Sequence, residues 1–155
     1  LSGEKLNQLA EKVQHHWDHF PDEAGEILYS DVFPASKRLE AHGLVLGIVS
    51  HRTLAAIHCS LRRHGLAHHF QVLVSPQVAA APRGKLDLAM WEYALREARV
   101  APVEAAHLGD QYEYDVVGAR ATGLLPVLID RDDLYAEPDC WKAKDLLEAL
   151  RLLGL

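Results

Sequence analysis

Apolar residues recur along this chain in two alternating rhythms. Leu6, Leu9, Ala10, Val13 and Trp17 are spaced by threes and fours, which predicts a helix over residues 4–20, capped by Ser2 and ended by Pro21. Asp31-Val32-Phe33-Pro34 opens a second helix with proline near its first position. Ala35, Leu39 and Phe33 face inward there, and Gly43 closes it. Leu44-Val45-Leu46-Gly47-Ile48-Val49 is continuously apolar, as a parallel strand buried on both faces would be. Leu54, Ile57 and Leu61 then mark a helix stopped by Gly65, and Phe70 to Val74 reads as the next strand. Leu86, Ala89, Met90, Tyr93 and Ala94 form the inner stripe of another helix. Pro102 breaks the chain before a short apolar run that ends at Gly109-Asp110. A helix over 116–122 follows, stopped by Gly123. Leu124 to Asp130 reads as a last strand, set at a sheet edge because Pro126 cannot donate to a ladder. Asp139 is expected to cap a final helix with Trp141, Leu146, Leu147, Leu150 and Leu153 inside. Strand and helix alternate throughout, which predicts an α/β fold: a Rossmann-like open parallel sheet with helices on both faces.

Composition narrows the class without changing that picture. At 155 residues the chain has the size of one domain with a real core. A net charge of -6 leaves no broad basic footprint for nucleic acid. Cys59 and Cys140 have neither metal-ligand nor disulfide-framework spacing, so a reduced, cytoplasmic setting is the default expectation. No apolar run approaches the roughly 20 residues needed to cross a bilayer, and the polar N-terminus lacks the pattern of a signal peptide. His15 and His19 share one helix face, but a single helix supplies both, and a solvated face is the favoured reading over a metal site.

Candidate chemistry gathers where strands end. Ser50 directly follows an apolar strand and precedes a helix, as either an N-cap or a hydroxyl facing an anion. Lys85 stands at a helix start, against the helix dipole. Asp110 stands at the end of the short apolar run after Pro102, and Asp115 follows five residues later in the first turn of a helix. In an open α/β sheet, ligands bind outside the carboxyl ends of the strands. Taken structurally, Asp110 merely caps the helix and Asp115 favours its dipole. Taken chemically, a hydroxyl, a cation and a carboxylate pair suit a phosphoryl group held with Mg2+.

Three segments in order resemble the haloacid dehalogenase-like hydrolases, over roughly residues 26 to 130. Leu28-Tyr29-Ser30-Asp31-Val32 through Gly47-Ile48-Val49-Ser50 is similar to the segment leading to that family's second motif, whose Ser or Thr binds a phosphoryl oxygen. Arg83-Gly84-Lys85-Leu86-Asp87 to Tyr93-Ala94-Leu95 resembles the third motif, whose lysine steadies nucleophile and phosphate charge. His107-Leu108-Gly109-Asp110, then Asp115-Val116-Val117-Gly118-Ala119-Arg120 and Gly123, resembles the fourth, whose acidic residues hold Mg2+. The resemblance implies catalytic roles for Ser50, Lys85, Asp110 and Asp115, phosphate binding by Ser50, His51 and Lys85, and a Mg2+ site at Asp110 and Asp115. It also implies a small phosphorylated substrate, with carbon–halogen cleavage as a variant on the same core. Residues 1–25 read as the remnant of a helical cap, and residues 26–155 as the core domain.

The departures are specific. The family's first motif, Asp-x-Asp-x-Thr, carries the nucleophilic aspartate on the first, central strand, and nothing before Ser50 matches it. His51 stands where the family often has Asn, Leu86 where proline is common, and Tyr114 where Asn usually precedes the second Asp. The resemblance therefore implies a sheet lacking its first central strand, between the strands ending at Ser50 and Asp110. Three explanations are open: a piece of a longer hydrolase, pairing with another chain or copy that completes the sheet, or a non-catalytic regulatory or interaction module. The start at Leu1 rather than Met favours the first.

Overall fold

The computed structural model describes residues 27–155; the expected helix at 4–20, the His15–His19 pair and the cap segment 1–25 lie outside the described residues. The described chain runs α1 (Val32–Ala41), β1 (Gly47–Val49), α2 (Leu54–Arg63), β2 (Val72–Val74) and α3 (Leu88–Ala98). It continues through β3 (Ala106–Gly109), α4 (Val117–Ala121), β4 (Leu125–Ile129), β5 (Trp141–Ala143) and α5 (Leu146–Leu152). One π-helical turn, Tyr112–Val116, leads directly into α4.

Every strand pairing among the described residues is parallel, as the alternation predicts. Among the described residues the strands form two sheets, β1-β2 and β3-β4-β5. β1 has β2 on one edge and no described strand on the other, and β3 likewise pairs only with β4. The division falls between the strands that end at Ser50 and Asp110, where the resemblance implies an absent strand.

Helices cover both faces. On β2, Val72 and Val74 pack with Met90 of α3, while Leu73 packs with Ile57 and Leu61 of α2. On the other sheet, Val127, Ile129 and Ala143 pack against Ala149 of α5. Two helices span the division. Trp91 of α3 is fully buried with Ala119 of α4 and Leu124, and Val49 of β1 packs on that cluster. Val32 of α1 packs on the Ile57–Leu61 cluster, while neighbouring Asp31 reaches the other half. The Asp31 carboxylate accepts from Arg131 at 2.9 Å and from the Leu146 backbone N–H at 2.7 Å. Burial pushes the Asp31 carboxyl up, but these donors outweigh it and its pKa lies below the ordinary value.

Several elements differ from the sequence expectation. Leu44 and Val45 are 42% and 50% exposed rather than buried on both faces, because β1 starts only at Gly47 and has one described neighbour. Phe33 and Leu86 also point outward, Leu86 from a short 3-10 turn ahead of α3. β4 is central, not an edge. Pro126 is tolerated there by alternation: Leu125 N–H donates to Ala105 beside β3, and Asp130 N–H donates to Ala143 of β5. Position 126 therefore faces the β5 side, where pairing begins only at Val127, so no ladder bond is lost. Trp141 belongs to β5, and the final helix is capped by Asp145, whose side chain accepts from Glu148 N–H, rather than by Asp139. Thr53, not Ser50, caps α2.

Candidate active site

The carboxyl ends of β1 and β3 and the turn after β2 converge on Asp115. The π-helical turn at Tyr112–Val116 carries this residue down beside its own strand, and Asp115 is 1% exposed. Its Oδ1 accepts from Lys85 Nζ at 2.6 Å and lies 2.8 Å from His107 Nε2. Its Oδ2 accepts from the Gln111 backbone N–H at 3.1 Å. Burial raises the carboxyl pKa, but the His107 hydrogen bond and the Lys85 charge outweigh it, and Asp115 is held well below the usual carboxylate range. It is an anion at neutral pH. His107 Nε2, facing an anion that only accepts, carries the ring proton.

Glycine makes this approach possible. A Cβ on Gly109 would overlap the Asp115 side chain. His107 and Gly109 lie two apart on β3 and so share a face. One supplies a donor to Asp115 and the other the space.

Lys85 is held at three points. Its ammonium meets Asp115, its carbonyl accepts from Trp91 Nε1 at 2.9 Å, and its N–H donates to His51 Nε2 at 3.0 Å. Trp91 also stacks edge-on to His107, centroids 4.6 Å apart. Gly84 sits at φ +61°, and any Cβ there would overlap the His51 ring. Since Nε2 of His51 is an acceptor, its proton resides on Nδ1. Burial and the Lys85 charge push the His51 pKa down, Asp115 opposing them, so the neutral ring is favoured.

Ser50 lies at the β1 tip, where its Oγ accepts from Arg52 N–H at 3.1 Å. Asp110 is exposed at the β3 tip, and its carboxylate has no hydrogen-bond or ion-pair partner among the described residues. The structure thus gathers Lys85, His51, Ser50, Asp110 and Asp115 at one end of the strands. The two aspartates are unlike: Asp115 is sequestered by donors, Asp110 is open. No cluster of three or more His, Cys, Asp or Glu side chains suited to a metal occurs among the described residues. A single open carboxylate still fits Mg2+, which keeps most of its waters and takes few protein oxygens. Asp115 fits less well as a direct ligand, because Lys85 shares its Oδ1. Sequence reasoning passed over His107 and Trp91. The signal available was a histidine inside an apolar strand, two residues before a glycine.

A family model for haloacid dehalogenase-like hydrolases matches residues 3–123. The chain belongs to this family. It is 33% identical over 141 residues to a phosphoserine phosphatase of Thermus thermophilus, covering 88% of this chain and 53% of that protein. It is 28% identical over 138 residues to a glyceraldehyde 3-phosphate phosphatase of Methanopyrus kandleri, covering 81% of this chain and 58% of that one. Among solved structures, a HAD phosphatase from Thermococcus onnurineus superposes with a TM-score of 0.74 at 29% identity, over 82% of this chain and 58% of that chain. This chain therefore spans little more than half the length of these relatives. The family, the parallel α/β fold and the kinship with phosphatases stand as expected from the motifs.

Proposed function

We propose that this chain is the larger part of the core of a Mg2+-dependent phosphatase for a small phosphate monoester. The observation that carries the reading is the clamp on Lys85: a buried anion fixes its ammonium, and two further contacts fix its backbone, at the carboxyl ends of two half-sheets. Phosphoryl transfer asks the protein mainly for such fixed charge. Lys85 neutralises phosphoryl oxygens, the Ser50 hydroxyl binds one of them, and His51 lies beside both. Asp115 with His107 orients Lys85. Asp110 is the carboxylate that would hold Mg2+, with Asp115 in support; the ion, when bound, neutralises a phosphoryl oxygen. The nucleophilic aspartate comes from a strand between β1 and β3, outside the described residues. The unpaired edges of β1 and β3 support this, since buried strand edges demand partners. A cytoplasmic setting accords with a chain whose two cysteines, Cys59 and Cys140, lack the spacing of a disulfide framework.

The test begins with binding. Inorganic phosphate with Mg2+ is expected to bind this chain, and Lys85→Ala or Asp110→Asn to weaken it about tenfold or more. Hydrolysis of an aryl phosphate is expected only once a segment carrying Asp-x-Asp-x-Thr is joined ahead of Leu1. A parent chain that binds no phosphate would overturn the reading. A second reading, a non-catalytic module, draws on the absence of that motif from the sequence. Phosphate binding that never becomes turnover in the extended chain would favour it.

A further inference from the structure

Trp91 stands in the first turn of α3 and is fully buried. Its indole folds back on the turn that presents Lys85, six residues earlier, and donates its N–H to the Lys85 carbonyl at 2.9 Å. Lys85 itself sits in a single 3-10 turn, Gly84–Leu86. One such turn has few hydrogen bonds of poor geometry and does not fix its own place.

The rest of the indole lies on the opposite half of the molecule. Its Nε1, Cε2 and Cζ2 edge faces Gly118 of α4, where a Cβ would stand 2.5 Å from Nε1 and 2.7 Å from each carbon. Gly118 has an ordinary helical backbone, so what glycine supplies here is space. The ring also meets His107 of β3 edge-on at 84°, and Ala119 and Leu124 close the slot. Asp115 and Gly118 lie three residues apart on one continuous segment, the π-helical turn running into α4. Side chains at that spacing are neighbours on a helix surface. Asp115 takes the Lys85 ammonium at 2.6 Å, and Gly118 admits the indole that holds the Lys85 carbonyl. Both ends of the lysine are therefore indexed to one segment of the other half.

We infer that Trp91 is a positioning residue: its indole N–H, wedged between Gly118 and His107, sets where the Lys85 backbone stands relative to Asp110 and Asp115. Lysine needs this because its ammonium is a point charge on a flexible four-carbon stem. Asp115 uses one of the three ammonium donors, which leaves two for a phosphoryl group. Where those two reach is decided by the backbone, and small misplacements of a fixed charge are costly. A phenyl ring would fill much of the slot and hold nothing, since it has no donor. The inference rests on the phosphatase reading, which gives Lys85 its role.

Trp91→Phe keeps a buried ring and removes the donor. It is expected to weaken inorganic phosphate, titrated with Mg2+ on the full chain, about tenfold. Leu61→Ala, in the α2 cluster on the other face of β2, is expected to lower the melting temperature at least as far, with phosphate affinity within about twofold of the parent's. Gly118→Ala drives a methyl into the indole and is also expected to cost about tenfold; in the Trp91→Phe background, where the smaller ring leaves room, that cost should fall below about twofold. In the 15N-labelled parent, the Trp91 indole N–H resonance, told from those of Trp17 and Trp141 by its loss in Trp91→Phe, is expected to shift as phosphate saturates. Phosphate affinity unchanged in Trp91→Phe, an equal loss in Leu61→Ala, an equal Gly118→Ala effect in both backgrounds, or an unmoved indole resonance would each overturn the inference and leave the phosphatase reading standing. A parent chain that binds no phosphate would overturn that reading, and this inference with it.

Discussion

The two half-sheets contribute opposite chemistry. β1, β2 and the turns that follow them deliver donors: the Ser50 hydroxyl and the Lys85 ammonium. The end of β3 delivers acceptors: the open carboxylate of Asp110 and the enclosed one of Asp115. On the proposed function, neither half is a site alone. They are joined at their functional ends by Lys85 and Asp115 at 2.6 Å, and across their faces by Trp91 of α3 and Asp31 ahead of α1. A division of labour of this kind needs the halves held in register, and a single buried ion pair does that at the point where the chemistry is needed.

Removing the Asp115 charge breaks this arrangement most. Asp115→Asn leaves Lys85 and His107 facing an amide in a buried site, at an expected cost of about 3 kcal/mol in denaturant unfolding. The pH dependence carries the sign. A carboxyl whose folded pKa is depressed contributes stability above its unfolded value near 3.9, lost as pH falls toward the folded value. The parent should therefore lose stability steadily from about pH 5 downward, and Asp115→Asn should flatten that slope; an unchanged slope would remove Asp115 from the account.

Gly109→Ala probes the same contact from the strand side. The new Cβ overlaps the Asp115 side chain, so either the π-helical turn or β3 must shift, at about 2 kcal/mol. The Lys85–Asp115 contact should loosen with it, readable as weaker phosphate binding. Variant stability equal to the parent's would mean that the turn gives way freely.

Asp31→Ala tests the second tie between the halves. It frees Arg131 and leaves the Leu146 N–H at the start of α5 unpaired, for a loss of about 1–2 kcal/mol. Phosphate affinity should stay near the parent's, because Asp31 touches nothing in the site. The smallest effect is expected at Arg120, which grips Asp139 with both of its terminal nitrogens on the exposed rim of α4. Arg120→Ala should shift the melting temperature less than any of the other three, and less still at high salt.

Much of this was legible along the chain. The apolar rhythms placed α2, α3 and all but one of the described strands, because period and turn residues are local signals. The places of Ser50, Lys85, Asp110 and Asp115 were legible because strand ends and helix starts are where polar residues stand out. β5 was not, since Trp141-Lys142-Ala143 is short and its apolar residues fit a helical stripe equally well. The central place of β4 was hidden too, because a proline's cost depends on which neighbour its missing N–H would face.

By itself, then, the sequence determined the family, the α/β alternation, the polar residues at the strand ends and the want of an Asp-x-Asp-x-Thr motif. Tertiary structure alone decided how the two aspartates divide their work. In sequence they are equivalent carboxylates five residues apart. Folding buries one among three donors and leaves the other open, and that follows from a π-helical turn, a glycine on the facing strand and a lysine 30 residues away in the chain. Charge and burial belong to positions in space, so no reading along the chain assigns them.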